Sequence, residues 1–274
     1  MTLITIDKAK CKKDGLCVQE CPAAIIKQAD GESVPLISPQ DEQMCLLCGH
    51  CVAICPHDAL THEKVPMEAS PQILKELAIN KEQAVQFLRT RRSVRRFKNK
   101  AVDKETIQFL IDTARYAPTG GNTQQVTWTV HTDESQIKKI ADLTIDWLKA
   151  ALASDAGKEM PSYIPVFVAA YESGINTITY NAPCLVFAST TGEYENGMID
   201  LSIAFSYLEL LAASCGLGTC WLGLITRALK NSEPLMEAVG LPEGHSNFYA
   251  MILGHPQFRF RRLPERKPAK IFWK

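Results

Sequence analysis

Cys11, Asp14, Cys17 and Cys21 recur 34 positions later as Cys45, Cys48, Cys51 and Cys55, and a proline follows each set, Pro22 and Pro56. The first sixty-odd residues are one half-site written twice. Seven thiols and one carboxylate at this density constrain the segment to fold around whatever they bind. Met1 to Lys8 lacks the apolar core of a secretory leader, so a reducing, cytoplasmic setting with unpaired thiols is expected rather than a disulfide framework.

The run Cys45-x2-Cys48-x2-Cys51-x3-Cys55-Pro56 resembles the ligand spacing of bacterial two-cluster ferredoxins, in which three thiolates wrap one cubane and the fourth crosses to the other cluster. That resemblance implies a ferredoxin-like βαβ repeat with two Fe–S clusters. Cluster one would take Cys11, Asp14, Cys17 and Cys55; cluster two would take Cys45, Cys48, Cys51 and Cys21. Structural zinc is the competing reading, because paired C-x2-C spacings also serve tetrahedral zinc. Three cysteines within seven residues and a fourth before a proline favour iron–sulfur. Asp14 breaks the repeat, and a carboxylate is a harder, weaker donor to iron than a thiolate. The iron it faces is expected to be labile, with cluster one interconverting between [4Fe-4S] and [3Fe-4S] while cluster two stays [4Fe-4S]. The alternative is an aspartate that holds its iron permanently.

A chain of 274 residues has room for such a module and one larger domain. The expected boundaries are 1–64 for the cluster domain, 65–79 for a linker and 80–274 for the second domain. Thirty basic residues balance thirty acidic ones, so global charge argues for neither nucleic acid nor anionic membrane. The most apolar stretch, Met198 to Leu217, is interrupted by Asp200 and Glu209. It reads as a helix in a core or subunit interface rather than a membrane span. Cys184, Cys215 and Cys220 sit among apolar neighbours.

Alternation marks short strands over 2–7 and 33–37, and Pro71 is placed to start a helix through Leu77. Helices are expected over 81–91 behind Asn80, after the Asp103 cap, over 134–153, over 198–215 and after Ser232. Strands are expected over 126–131, 184–190, 217–224 and 246–253, with an extended basic tail from His255. Residues 154–181 show no clear period. Helices and strands in this order, without regular alternation, favour an α+β fold. Gly216-x-Gly218-x-x-Trp221 fails the dinucleotide fingerprint at its third glycine.

Arg89, Arg91, Arg92, Arg95, Arg96, Lys98 and Lys100 lie within twelve residues. Such a run is either a solvated basic face or a site for a phosphorylated cofactor, since guanidinium forks and a serine hydroxyl match phosphate oxygens. The block Arg91-Arg92-Ser93-Val94-Arg95-Arg96-Phe97 resembles the opening motif of the nitroreductase family of flavoproteins. Ala117 to Gln124, Ala182-Pro183, Gly216 to Gly223, and Gly254-His255-Pro256 with Leu263 to Pro268 resemble its later blocks in the same order.

The resemblance implies a nitroreductase-like α+β domain, FMN, a homodimer and two active sites at the dimer interface. Arg91, Arg92 and Ser93 would grip the FMN phosphate, with Arg266 reaching it from the tail. Arg95, the candidate catalytic residue, would stand at the N1/O2 edge, where a cation stabilises the negative charge of the reduced ring. Pro118, Thr119, Gly120, Asn122 and Gln124 would supply a loop that contacts the flavin from the partner subunit. Backbone amides near Leu222 and Gly223 would approach N5 and O4. Tyr163, Phe167, Tyr171 and Tyr180 are candidates for a lid or for core.

A flavin fused to two clusters implies an internal wire from an external ferredoxin or other low-potential donor to a small organic acceptor. NAD(P)H is an alternative donor. A pure relay between protein partners and a redox sensor are the readings from other classes.

Overall fold

The computed structural model describes residues 2–274 and divides into two compact units, Met1–Ile79 with Gly120–Thr123, and Asn80–Thr119 with Gln124–Lys274. In the first, β1 (Ile4–Ile6) pairs antiparallel with β2 (Leu60–His62), so the two ends of the repeat meet. Between them lie two one-turn helices, α1 (Leu16–Glu20) and α2 (His50–Ile54), one per half-site. The duplication extends to the backbone. Lys13 and Leu47, Gly15 and Gly49, and Ala24 and Asp58 are matched pairs, and all six have positive φ, between 48° and 72°. Gly15 and Gly49 supply it without steric cost. Ile4, Ile25, Ile26, Val52 and Leu60 form the small core beneath the cysteines.

Two expectations fail in this unit. The stretch 33–37 contributes only an isolated bridge, Lys27 to Leu36. Residues 71–74 are not helical, and only a 3₁₀ turn forms at Lys75–Leu77, all of it exposed. A single turn with no face to bury has nothing to offset its nucleation cost. Residues 65–79 are grouped with the first unit.

The second unit is built on a four-stranded antiparallel sheet in the order β3 (Thr127–His131), β4 (Cys184–Thr191), β6 (His245–Gly254), β5 (Gly218–Trp221). Both faces are covered, which explains why β4 reads as an unbroken apolar run. Leu185 and Phe187 enter the core beneath α5 (Glu134–Ala153), α6 (Ile164–Glu172), α8 (Gly223–Leu229) and α9 (Glu233–Val239). Cys184, Val186 and Ala188, with the opposite parity, enter the core beneath α4 (Lys104–Ala114) and α7 (Gly197–Ser214). α7 is long and apolar enough by composition to cross a membrane. Its Leu201, Phe205, Leu208 and Ala212 are instead packed into that second core.

Helix boundaries follow their caps. Asn80 and Gln83 form a reciprocal capping box at α3 (Lys81–Thr90), and Asp103, Asp133 and Ser232 each accept an amide hydrogen at the start of α4, α5 and α9. The expected strand 217–224 stops at Trp221 and turns into α8. Cys184 and Cys220 are buried as expected, but Cys215, just past the end of α7, is exposed rather than enclosed by apolar neighbours.

Candidate functional site

In the first unit the eight repeat donors separate into two nests. Cys11, Asp14, Cys17 and Cys55 line one small cavity; Cys21, Cys45, Cys48 and Cys51 line another. The chain crossover does this, since Cys21 and Cys55 follow α1 and α2 and lead away from their own half-sites. Burial raises the Cys17 thiol, with Cys55 and Cys11 adding to the shift. Burial likewise pushes Cys51 up to about 11, with Cys45, Cys48 and Cys21 as neighbours. A metal or cluster bound here would take these groups as thiolates and displace their protons. Asp14 Oδ1 accepts from the Leu16 amide at 3.2 Å, and Oδ2 lies 3.4 Å from His57 Nε2.

Sequence reasoning missed His62. The His62 side chain is buried within the second nest, and its Nε2 stands 3.6 Å from Cys45 Sγ. The signal was available, because alternation in β2 turns His62 to the same inner face as Leu60.

In the second unit a cavity of about 960 Å³ is bounded by Arg95, Arg96, Tyr180 and the segment Cys220–Ile225, with Tyr163 and Phe167 from the stretch that resisted reading. Three of the four proposed lid aromatics therefore line one cavity. Tyr171 does not; its hydroxyl donates to Asp142 at 2.7 Å. Tyr180 sits on a turn held by Asn176, whose Oδ1 accepts from the amides of Ile178, Thr179 and Tyr180. The Arg95 guanidinium lies 5.8 Å from the Tyr180 ring centre. Burial raises the Tyr180 phenol while Arg95 opposes the shift.

The arginine-rich block reaches this cavity by lying alongside β5. Ser93 bridges Thr219 in parallel, and the Val94 amide donates to the Thr219 carbonyl at 2.8 Å. A Cβ on Gly218 would stand 2.5 Å from Val94, so glycine permits the approach. Arg91 pairs with Glu209 of α7, at 3.0 Å. Glu209 also accepts from Thr219 Oγ1 at 3.2 Å and from Trp221 Nε1 at 3.1 Å. This buried carboxylate ties the arginine block, β5 and α7 together, and sequence reasoning treated it only as an interruption of an apolar run.

The other expected residues are spread more widely. Arg92 stacks on Phe260 of the tail, 5.4 Å from the ring centre. Arg266 is exposed in that tail. The Leu222 amide is already spent on the Ala250 carbonyl, which leaves Gly223 as the amide free of the sheet. Thr119 Oγ1 accepts from the Gln124 amide at 3.0 Å and closes the loop after Pro118. Gly120 to Thr123 count with the first unit. There the Asn122 carboxamide donates to the carbonyls of Leu46 at 2.9 Å and Leu47 at 3.1 Å, inside the Cys45–Cys48 loop.

Comparison with known proteins agrees with both halves. Residues 9–60 match the model of the 4Fe-4S dicluster domain and residues 88–255 that of the nitroreductase family. A putative NADH dehydrogenase/NAD(P)H nitroreductase of Archaeoglobus fulgidus is 24% identical over 64% of this chain and 87% of its own length. A 7Fe ferredoxin of Hydrogenibacillus schlegelii is 41% identical over 23% of this chain and 76% of its own. The FMN-bound nitroreductase of Bacteroides fragilis shares the fold, with a TM-score of 0.58 at 19% identity over 72% of this chain and all of that one. The chain belongs to the nitroreductase family of FMN-dependent oxidoreductases and carries a 4Fe-4S dicluster domain at its N-terminal end.

Proposed function

We propose that this chain is an iron–sulfur flavoprotein oxidoreductase in which electrons enter at the N-terminal clusters and leave through FMN to a conjugated organic acceptor such as a nitroaromatic or quinone. The observation that carries this reading is the occurrence, in one chain, of two four-donor nests and a cation-lined cavity of about 960 Å³. FMN suits that cavity chemically. Its flat ring system matches the aromatic and backbone walls, and Arg95 offers a cation to the ring edge. Arg91, Arg92 and Ser93 would hold the phosphate, with Arg266 joining from the tail. Gly223 would present its amide to N5 or O4, and Leu222 only its side chain.

When bound, FMN exchanges an electron pair with organic molecules and single electrons with clusters. The protein's part is to orient and to stabilise charge. Arg95 would stand where negative charge grows on reduction, so Arg95→Ala should lower turnover about 100-fold while FMN content, read from the visible spectrum, falls far less. Parallel loss of both would reduce Arg95 to a binding residue.

For cluster one we read an interchange of three and four irons at Asp14. The relative named a 7Fe ferredoxin supports it, since seven irons divide into one four-iron and one three-iron cluster. A second copy of the chain is the expected partner. The outward Val85 and Leu88 of α3, and Phe272 and Trp273 at 86% and 90% exposure in the tail, are apolar groups that a homodimer would cover.

The entry route is tested by Cys48→Ala. Loss of cluster two should remove about four irons per chain and bring turnover driven by a reduced external ferredoxin to background, with FMN content retained. A variant that keeps its ferredoxin-driven rate refutes cluster entry. A wild-type protein that turns over with NADPH alone, unaffected by the substitution, does the same.

A further inference from the structure

We propose that His62 is a positioning residue for cluster two, donating an N–H hydrogen bond to the Cys45 sulfur and thereby raising the reduction potential of that cluster alone. The inference rests on the iron–sulfur reading above. It begins with the tautomer. His62 Nδ1 accepts from two backbone amides, Lys64 at 3.1 Å and Val65 at 3.1 Å. A ring nitrogen that accepts carries no proton, so in the neutral ring the hydrogen lies on Nε2. Nε2 is the atom 3.6 Å from Cys45 Sγ, within reach of an N–H···S bond. His62 itself has 2% of its surface exposed, so its ring is held in place by the surrounding fold.

The sequence repeat supplies an internal control. Thirty-four positions before His62 stands Gln28. Its Nε2 donates to the carbonyls of Lys13 at 3.1 Å and Ser33 at 2.9 Å, and to no thiol. The same place in the duplicated fold thus faces backbone in the first half-site and sulfur in the second. A donor to a ligating sulfur favours the more negative, reduced cluster, and hydrogen bonds to sulfur are among the determinants of Fe–S potentials. His62 therefore biases an electron on the N-terminal unit toward cluster two, beyond the difference that Asp14 makes at cluster one.

The test is an EPR-monitored redox titration of anaerobically purified holoenzyme, with iron and sulfide content measured on each sample. His62→Leu removes the donor, and His62→Gln installs the residue of the first half-site. In His62→Leu the reduction equilibrium of cluster two should shift about tenfold toward the oxidised form, about 59 mV for a one-electron couple, while cluster one stays in place. His62→Gln should shift it in the same direction, since the glutamine amide at this place in the first half-site donates to backbone carbonyls and not to sulfur. An unchanged midpoint in His62→Leu with full iron content overturns the proposal, as does loss of cluster two from both variants, which would make His62 a structural support only. Zinc in place of iron in the wild-type protein would instead refute the iron–sulfur reading itself.

Discussion

Glu209→Ala should destabilise the C-terminal unit by about 3–4 kcal/mol, the largest stability loss expected from any single polar side chain described above. Glu209 is buried, with 7% of its side chain exposed, and takes three donors from three places in the sequence. Removing it strands the Thr219 hydroxyl and the Trp221 indole N–H, at about 1–3 kcal/mol for each donor left unpaired. Arg91 is 32% exposed at its side chain and recovers part of its hydration, which keeps the total below the full cost of breaking a buried ion pair. A loss of this size in a domain of nearly two hundred residues lowers the melting temperature by about 10 °C. Glu209→Gln should cost less than half as much, because one oxygen still accepts while the new amide faces a donor. FMN should also bind more weakly to Glu209→Ala, since Arg91 loses the group that fixes its direction. An alanine variant melting within about 2 °C of wild type would mean the carboxylate organises nothing.

Asp14→Cys should convert cluster one from a labile to a permanent four-iron cluster. In the wild-type protein, brief oxidation after anaerobic purification should produce the EPR signal of a three-iron cluster, with loss of about one iron per chain. In the variant that signal should be absent and the iron content unchanged. The reason is donor chemistry: a thiolate binds iron more strongly than a carboxylate. Geometry adds to it, because the Asp14 oxygens already have the Leu16 amide and His57 as alternative partners, and a thiolate is the weaker hydrogen-bond acceptor. Persistence of the signal in Asp14→Cys, or its absence from wild type under every oxidation regime, would remove the case for lability.

Where local pattern determined structure, the sequence was readable. The helix expected over 134–153 matches α5, Glu134–Ala153, and β4 was read to within one residue. The elements missed share a physical cause. α8 follows β5 within an apolar run, and both faces of that run are buried, so neither a two-residue nor a 3.6-residue period shows. α6 is apolar with little sidedness and lacks a side-chain cap. Among site residues, closely spaced ligands and the arginine block were visible because their chemistry is concentrated in sequence. Glu209 was not, since its partners are 10, 12 and 118 positions away. His62 was overlooked for a different reason. It lies past the last cysteine of the repeat, outside the ligand spacing, where the alternation of β2 and the repeat offset to Gln28 mark it.

Gln28 caps the Lys13 carbonyl within its own half-site, whereas the equivalent carbonyl of Leu47 is capped by Asn122, from a distant loop. A carboxamide has two hydrogens, and Asn122 directs its nitrogen to two carbonyls. Its remaining polarity is that of an acceptor alone. Any group that meets Asn122 Oδ1 in the assembled protein must bring its own hydrogen. Asn122→Asp would preserve the shape of the side chain while replacing attraction to both leucine carbonyls with repulsion, so this glycine-rich loop tolerates an isostere less well than its exposure suggests.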